Sequence, residues 1–240
     1  MNLLNDCKFL IQKTLRKLGW EIHRFSNGEM VCLSQQLTLR NIDNVIDVGA
    51  NQGQFASSLF SAGYNGSITS FEPLLKPYEK LKKIAKKNYR WHIANRVAVG
   101  ADLGVVEINI SENLVSSSIL PILKDHTLAA PSSKYVGKES ISMITLDSFF
   151  NKTPMNRPFI KIDTQGYEMQ VLKGCSNSLQ NVSGVLVEVS IASLYDGQAD
   201  YIALLSFIRD AGFDLWAVNP GFREPSTGRL LQFDALFFRR

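Results

Sequence analysis

The sequence predicts an α/β fold with a doubly wound, mostly parallel sheet of seven strands and an N-terminal helical extension. Short runs rich in Val, Ile and Phe alternate with amphipathic stretches of helical period, which is the order of strand–helix–strand units. Several of these strands end on an acidic residue, and ligands of such sheets bind at the carboxyl ends of the central strands. We therefore expect a ligand site at one edge of the sheet.

Composition narrows the class of protein. The chain has 240 residues, of which 45% are hydrophobic and 20% charged, so it can form one large domain with a sizeable core. A net charge of +4 is too small to indicate a nucleic-acid partner. The widely spaced Cys7, Cys32 and Cys175 indicate neither a disulfide framework nor a zinc site. No run reaches the ~18 apolar residues of a membrane span, and no signal peptide is evident, so we expect a cytoplasmic protein.

Residues 1–43 are predicted to precede the main domain as an extension. Residues 3–18 predict an amphipathic basic helix, because an apolar stripe recurs at helical spacing and Gly19 ends the run. This helix would dock on the domain or on a second subunit of a homodimer, or bind peripherally to an anionic membrane surface. Residues 20–33 alternate loosely and predict a short hairpin that turns at Asn27 and Gly28.

The first strand of the sheet is predicted at residues 44–48 and runs into a glycine-containing turn. Its apolar residues suit a strand that is buried on both faces. Gly49 and Gly53 bracket the turn and would let the backbone approach a ligand closely. The helix expected over residues 52–62 would direct its N-terminal amides at that ligand.

The second strand, residues 67–71, ends on Glu72 and Pro73. Glu72 follows Gly53 at close to the ~20-residue offset at which nucleotide-binding units carry a carboxylate for ribose hydroxyls. A helix-start acid beside Pro73 is the alternative interpretation.

The rest of the chain continues the alternation. Helices are expected at 77–87 and 199–211 with a helical turn at 147–150, and extended segments at 91–99, 105–110, 141–146, 158–163, 185–189, 213–218 and 231–238. Residues 111–138 show no clear period and would be a long connection, either a lid or acceptor-binding segment or an irregular surface loop.

The turn after the first strand restricts the ligand. A nicotinamide enzyme prefers Gly-x-Gly-x-x-Gly, whereas Asn51 and Gln54 occupy two of those glycine positions here. Asp47 disfavours a pyrophosphate but suits a cation, such as the amino or sulfonium group of S-adenosylmethionine. A P-loop is excluded, since the chain has no Gly-Lys-Ser/Thr at this turn.

Five ordered motifs carry a family resemblance. They are Asp47-Val48-Gly49-Ala50-Asn51-Gln52-Gly53, Phe71-Glu72-Pro73, Asn95-Arg96-Val97-Ala98-Val99-Gly100, Thr145-Leu146-Asp147, and Lys161-Ile162-Asp163-Thr164-Gln165-Gly166-Tyr167-Glu168 followed by Leu172-Lys173-Gly174. In this order they resemble the FkbM family of S-adenosylmethionine-dependent methyltransferases. The resemblance covers residues 44–240, which would form the methyltransferase domain.

The resemblance implies a class I, Rossmann-like methyltransferase fold and O-methylation of a hydroxyl on a sugar, glycan or polyketide-like natural product. The cofactor would be S-adenosylmethionine, with S-adenosylhomocysteine as product. By the resemblance Glu72 would bind the ribose. The cofactor residues implied are Asp47, Gly49, Ala50, Asn51, Gly53, Phe55, Glu72, Pro73, Val97, Ala98 and Asp163. At position 165 the family commonly has Glu, whereas this chain has Gln165.

Methyl transfer to a hydroxyl needs a base, because a free alcohol is nearly un-ionised at neutral pH. Asp163 is the first candidate, followed by Glu168 and Glu188. Lys161 shares a strand face with Asp163 and is expected to pair with Glu188. His126, in the long connection, is a more distant candidate base.

The sequence is also compatible with other functions. The carboxylates could bind a divalent cation, but no metal site is predicted, since no DxD or paired His/Asp signature accompanies them. A dinucleotide-binding oxidoreductase and a non-catalytic scaffold that binds S-adenosylmethionine are the alternatives to an enzyme that methylates a small-molecule or glycan acceptor.

Overall fold

A computed structural model describes residues 28–240. The predicted helix over residues 3–18 and most of the predicted hairpin lie outside the described residues. In chain order, the helices and strands are α1 (Gly28–Leu39), β1 (Asn44–Val48), α2 (Gln54–Ser61), β2 (Ser67–Phe71), α3 (Leu75–Ala85), β3 (Trp91–Ile93), β4 (Ala98–Val99), β5 (Gly104–Ser111), α4 (Lys124–Ala129), β6 (Tyr135–Ile144), α5 (Leu146–Lys152), β7 (Phe159–Ile162), α6 (Glu168–Lys173), β8 (Gly184–Ser190), α7 (Tyr201–Asp210), β9 (Phe213–Pro220) and β10 (Gln232–Arg239).

The main sheet has seven strands in the order β3-β2-β1-β7-β8-β10-β9. Strands β3, β2, β1, β7 and β8 are parallel to one another, and β10 runs antiparallel between β8 and β9. The predicted fold class is confirmed. Because β1 lies between β2 and β7 and is parallel to both, the carboxyl ends of these three strands lie together at one edge of the sheet.

Alternate side chains of the central strands face opposite sides of the sheet. Ile46 belongs to one buried cluster with Ile160 and Val187, whereas its neighbour Val45 belongs to a second cluster with Phe159. Each strand therefore buries apolar residues on both faces, as expected for a parallel sheet that is covered by helices on both sides.

The predicted hairpin over residues 20–33 is wrong for its last six residues, which lie in helix α1. Leu33 and Leu37, one helical turn apart, are buried against Ile42 and Val45. The end of the predicted extension thus packs against the main sheet. Within residues 28–240, no helix is both long and apolar enough to cross a membrane.

The predicted strand over residues 91–99 is split between two sheets. Strand β3 joins the main sheet, whereas β4 joins a small sheet in the order β4-β6-β5. The chain turns between them, and Arg96 donates to the carbonyl oxygen of Pro73 and to Glu139. The predicted connection over residues 111–138 also contains helix α4 and the start of β6.

Candidate active site

The turn after β1 is shaped by contacts within the protein. The amides of Gly49 and Ala50 donate to the carbonyl oxygen of Phe71 at 3.1 and 3.0 Å. Gly49 has a φ of +77°, and a Cβ there would lie 1.8 Å from the carbonyl oxygen of Asp163. The glycine therefore lets β1 and β7 end side by side, which brings Asp163 to the turn.

Gly53 packs closely against neighbouring side chains, whereas the sequence predicts a close approach to a ligand. Its φ is +89°, and a Cβ would lie 2.6 Å from the ring of Trp91 and 2.9 Å from Leu81. Gly53 lines neither of the cavities described below. Close packing against α3 and β3, rather than a close approach to a ligand, requires glycine at this position.

The carboxylate of Glu72 is buried at the end of β2. Its Oε2 accepts a hydrogen bond from the amide of Asn51, and its Oε1 accepts one from the amide of Leu74, both at 2.8 Å. Burial raises the pKa of Glu72 to about 7, although these amides partly oppose the shift. A carboxylate has about four lone-pair positions, so each oxygen can accept one further hydrogen bond.

A first cavity lies over the ends of β1, β2 and β7, with the segment after β5 on its far side. One part of its wall is apolar and the other polar. Its lining residues are Val48, Gly49, Asn51, Phe71, Glu72, Pro73, Leu74, Val97, Ala98, Val99, Ile108, Leu114, Val115, Ser117, Ser118, Ile119, Asp163, Thr164, Gln165 and Tyr167.

A second cavity adjoins the first and shares Gly49, Asn51, Val115 and Asp163 with it. Its remaining lining residues are Met30, Ala50, Gln54, Phe55, Ser58, Lys161, Ile162, Leu186, Glu188 and Asp234. The two cavities therefore adjoin at the four shared residues, of which Asp163 carries the one titratable side chain, and that side chain is 36% exposed.

Asp47 lies beneath the site and lines neither cavity. It is fully buried, 3.2 Å from the Nζ of Lys161, and its Oδ2 accepts a hydrogen bond from Ser70 at 2.9 Å. Its carboxylate thus already has a cationic partner within the protein, in contrast to the expectation that it would face a bound cation.

The expected Lys161–Glu188 ion pair is wrong. The Nζ of Lys161 instead contacts Asp47, the carbonyl oxygen of Gly49 at 3.0 Å, and Asp163 at 3.6 Å. Burial alone would lower the pKa of Lys161, but the carboxylates of Asp47 and Asp163 outweigh it and raise the pKa above its ordinary value. The lysine is therefore charged, and it faces the carboxylate at the junction of the cavities.

Glu188 accepts its hydrogen bonds from two glutamine side chains. The Nε2 atoms of Gln165 and Gln232 lie 2.8 and 2.6 Å from its Oε2. Burial, and then the nearby charge of Asp163, raise the pKa of Glu188 well above its ordinary value. Glu188 is thus a weak acid held by neutral amides.

Glu168 supports the chain that follows β7. Its Oε1 accepts hydrogen bonds from the amides of Thr164 and Gly166, at 2.9 and 3.1 Å. Burial raises the pKa of Glu168 to about 7 against the effect of these donors. It lines neither cavity, so its contacts are those of a residue that shapes the loop.

His126, the more distant candidate base, lines neither cavity. His126 is buried between the rings of Tyr195 and Phe222, and burial lowers its pKa to about 4. Within residues 28–240, no group of three or more His, Cys, Asp or Glu residues is arranged to hold a metal ion.

Sequence reasoning missed Asp234, which lines the second cavity, and Tyr195, which lies behind Gln165. Asp234 pairs with Glu188 across β10 and β8, and burial raises its pKa to about 6. An aspartate within an otherwise apolar strand was the available signal. No local pattern marks Tyr195.

The cavity residues fit S-adenosylmethionine. Val97 and Ala98 offer an apolar wall for an adenine ring, and the free lone pairs of Glu72 can accept hydrogen bonds from ribose hydroxyls. The Oδ1 of Asn51 is buried and has no hydrogen-bond partner among the described residues. Because Asn51 lines both cavities, this unpaired acceptor suits a ligand that carries a hydrogen-bond donor, such as an ammonium group.

Comparisons with known proteins identify the family of the chain. The sequence model of the FkbM methyltransferase domain matches residues 47–215. A hexuronic acid methyltransferase from Haloferax volcanii, AglP, is 26% identical over 172 residues, which are 71% of this chain and 65% of that protein. The match thus spans less than two thirds of the length of that relative.

Two solved structures share the fold at low identity. An rRNA methylase from Streptococcus thermophilus superposes with a TM-score of 0.50 at 10% identity, over 92% of this chain and 99% of its own. A candidate O-methyltransferase from Klebsiella pneumoniae superposes with a TM-score of 0.50 at 7% identity, over 97% and 89% of the two chains. Since the family model covers more than half of the sequence, the chain belongs to the FkbM methyltransferase family.

Proposed function

We propose that this enzyme methylates a hydroxyl group of a sugar or glycan, with Asp163 as the general base. The observation that carries the proposal is the position of the Asp163 carboxylate at the junction of the two cavities. A cofactor in the first cavity and an acceptor in the second would meet beside this carboxylate. Methyl transfer needs that geometry, because the acceptor oxygen has to lie in line with the bond that breaks.

The first cavity is the proposed cofactor site. Glu72 would accept hydrogen bonds from the ribose hydroxyls, Val97 and Ala98 would contact the adenine, and Gly49 and Asn51 would contact the methionine part. When bound, S-adenosylmethionine supplies an electrophilic methyl group on a sulfonium. The other residues expected at the cofactor, Ala50, Gly53, Phe55 and Pro73, would act by shaping the turn and the cavity walls.

Asp163 is better suited to the role of base than the other carboxylates. It lines both cavities, its side chain is partly exposed, and the charged Lys161 lies 3.6 Å away. Glu168 lines neither cavity. Glu188 lines the second cavity, but burial favours its protonated form. Lys161 would act by holding the Asp163 carboxylate in place.

A sugar acceptor is supported by the relative that acts on hexuronic acid. The second cavity carries the carboxylates of Asp163, Glu188 and Asp234, which can accept hydrogen bonds from sugar hydroxyls. Lys161 is the one cation in the described lining, and it is already paired with Asp47. We therefore infer that a neutral sugar suits this cavity better than a uronate, because the described lining offers no unpaired cation to bind the charge of a uronate.

The test combines binding with turnover. Isothermal titration should show binding of S-adenosylmethionine and S-adenosylhomocysteine, and a panel of neutral sugars and uronates should yield a methylated product. Asp163→Asn should bind the cofactor within about threefold of wild type and lose turnover by about 100-fold or more. Binding of neither cofactor form would refute the cofactor site, and full turnover by Asp163→Asn would remove Asp163 as the base.

A further inference from the structure

The side chain of Gln165 lies between the two carboxylates that border the second cavity. Its Nε2 donates to Oδ1 of Asp163 and to Oε2 of Glu188, each at 2.8 Å. Its Oε1 accepts a hydrogen bond from the hydroxyl of Tyr195, also at 2.8 Å. The residue is only 9% exposed, and both N–H groups and the carbonyl of its amide have partners.

These partners determine which way the amide points. The reverse orientation would place the amide oxygen against a carboxylate oxygen of Asp163, the proposed base, and would turn the N–H groups away from both acids. The hydroxyl of Tyr195 has one proton and two acceptors within reach, Oε1 of Gln165 at 2.8 Å and the carbonyl oxygen of Ser116 at 3.1 Å, and the contact with Gln165 is the shorter. Gln165 therefore presents two donors to the two acids and nothing else.

The backbone at Gln165 is also held in place. Its φ is +55°, a left-handed conformation that is uncommon for a residue other than glycine. Its carbonyl oxygen accepts a hydrogen bond from Ser118 at 2.6 Å, and a Cβ on the next residue, Gly166, would lie 2.9 Å from the ring of Tyr195. Such a conformation persists only where its surroundings hold it, so the amide is fixed from both the backbone and the side chain.

We propose that Gln165 is a positioning residue for methyl transfer, whose neutral amide orients the Asp163 carboxylate beside Glu188. This inference rests on the proposed role of Asp163 as the base. Gln165 itself takes no proton in the reaction; it acts through the two N–H groups that it donates.

The charge around Asp163 explains why a neutral donor matters. The groups that face it from the packed elements are Lys161, Asp47, Glu168, Glu188, Asp234 and Tyr195. Four of these are acids, and only one is a cation. Asn at position 165 would be one methylene too short to reach both acids, and Glu would add a further negative charge and lose both donors.

The experiment measures kcat as a function of pH for wild type, Gln165→Met and Gln165→Glu. Met keeps the length of the side chain but donates no hydrogen bond, so the ionised base loses stabilisation and the acid limb of the profile should move up by about one pH unit. Glu should move it further, because a like charge is added. We expect a roughly tenfold lower kcat at the optimum, with the KM of the acceptor and the Kd of S-adenosylmethionine within about threefold of wild type.

Two controls keep the result interpretable. Gln180→Glu makes the same chemical change at an exposed position and should leave the profile unchanged. Tyr195→Phe removes the hydroxyl that contacts the far end of the amide and the carbonyl oxygen of Ser116, and it should give a smaller shift in the same direction even if the Gln165 variants fold poorly.

The outcomes separate this inference from the proposed function. If Asp163→Asn abolishes turnover while the profiles of both Gln165 variants and Tyr195→Phe match wild type, Gln165 has no positioning role and the base assignment stands. If Asp163→Asn turns over normally, the base assignment itself has failed, and the inference fails with it.

Discussion

The Nζ of Lys161 lies 3.2 Å from Oδ1 of Asp47, and the two residues are paired across the parallel strands β7 and β1. The side chain of Asp47 is fully buried and that of Lys161 is 10% exposed. The pair lies directly beneath the junction of the two cavities. It therefore links the central strands of the sheet to the position of Asp163.

Lys161→Met should destabilise the protein strongly. It leaves Asp47 buried without a cation, and removing one partner of a buried ion pair costs about 3–5 kcal/mol. The free energy of unfolding, measured with urea at pH 7, is the readout. Asp47→Asn combined with Lys161→Met removes the uncompensated charge and should regain at least half of the loss. A cost below about 1 kcal/mol for Lys161→Met would show that the pair contributes little.

The central strands could be predicted from the sequence because each buries both faces. Val45 and Ile46 point to opposite sides of the sheet and both are buried, so β1 is apolar throughout. Strand β6 is predicted only in its last part, because none of its first six residues is buried and they show no apolar–polar alternation. The start of the small sheet therefore had no local signal.

The contacts of the site were harder to predict than its members. Asp163 directly follows β7, and its carboxylate lies 3.6 Å from the Nζ of Lys161, as the spacing of two residues predicts. The register of β7 against β1 determines which acid pairs with Lys161. The residues of the two strands do not by themselves indicate that register. The role of Gln165 likewise depends on Tyr195, 30 positions away, which no local pattern connects to it.

Binding of S-adenosylmethionine should weaken as the pH falls. Burial raises the pKa of Glu72 to about 7, and its ionised form is the better acceptor for ribose hydroxyls. Since the ionised fraction falls as the pH drops through 7, the Kd at pH 6 should be up to roughly tenfold higher than at pH 8. Isothermal titration across this range measures the effect.

The control for Glu72 is a second group that titrates near the same pH. Glu168 has a pKa raised to about 7 but lines neither cavity, so Glu168→Gln should keep the pH dependence of binding. Glu72→Gln should bind more weakly at every pH, and its Kd should not vary over this range. A wild-type Kd that is equal at pH 6 and pH 8 would rule out an ionised Glu72 at the ribose.

Glu168→Gln should stabilise the protein above neutral pH. Burial raises the pKa of Glu168 to about 7, so its contribution to stability is fully present below the unfolded value near 4.5 and is lost as the pH rises through 7. A glutamine carries no charge and keeps the oxygen that accepts from Thr164 and Gly166. The variant should gain about 1–3 kcal/mol at pH 8 and nothing near pH 4.5.

Thermal unfolding at several pH values tests this stability change, and turnover tests whether Glu168 takes part in the reaction. A gain of 1 kcal/mol corresponds to an increase in Tm of about 2–4 °C for a chain of this size. Turnover near the wild-type level is expected, since Glu168 does not line either cavity. A large loss of kcat with an unchanged Tm would instead assign Glu168 to the chemistry.

Gly53→Ala should destabilise the protein more than Gly63→Ala, because the two glycines share a backbone conformation but differ in their surroundings. Their φ values are +89° and +94°, so alanine at either position costs about 1–2 kcal/mol for the left-handed conformation. At Gly63 no other atom lies within 4 Å of the added Cβ, whereas at Gly53 the Cβ would overlap the ring of Trp91. Repacking that ring should add about 1–3 kcal/mol.

The two variants should also differ in cofactor binding. Trp91 donates a hydrogen bond to Ser70, which in turn donates one to Asp47. Displacement of Trp91 should therefore weaken cofactor binding in Gly53→Ala, whereas Gly63→Ala should leave it intact. Urea unfolding and isothermal titration of both variants measure the difference, and equal costs would mean that the contact with Trp91 is relieved without strain.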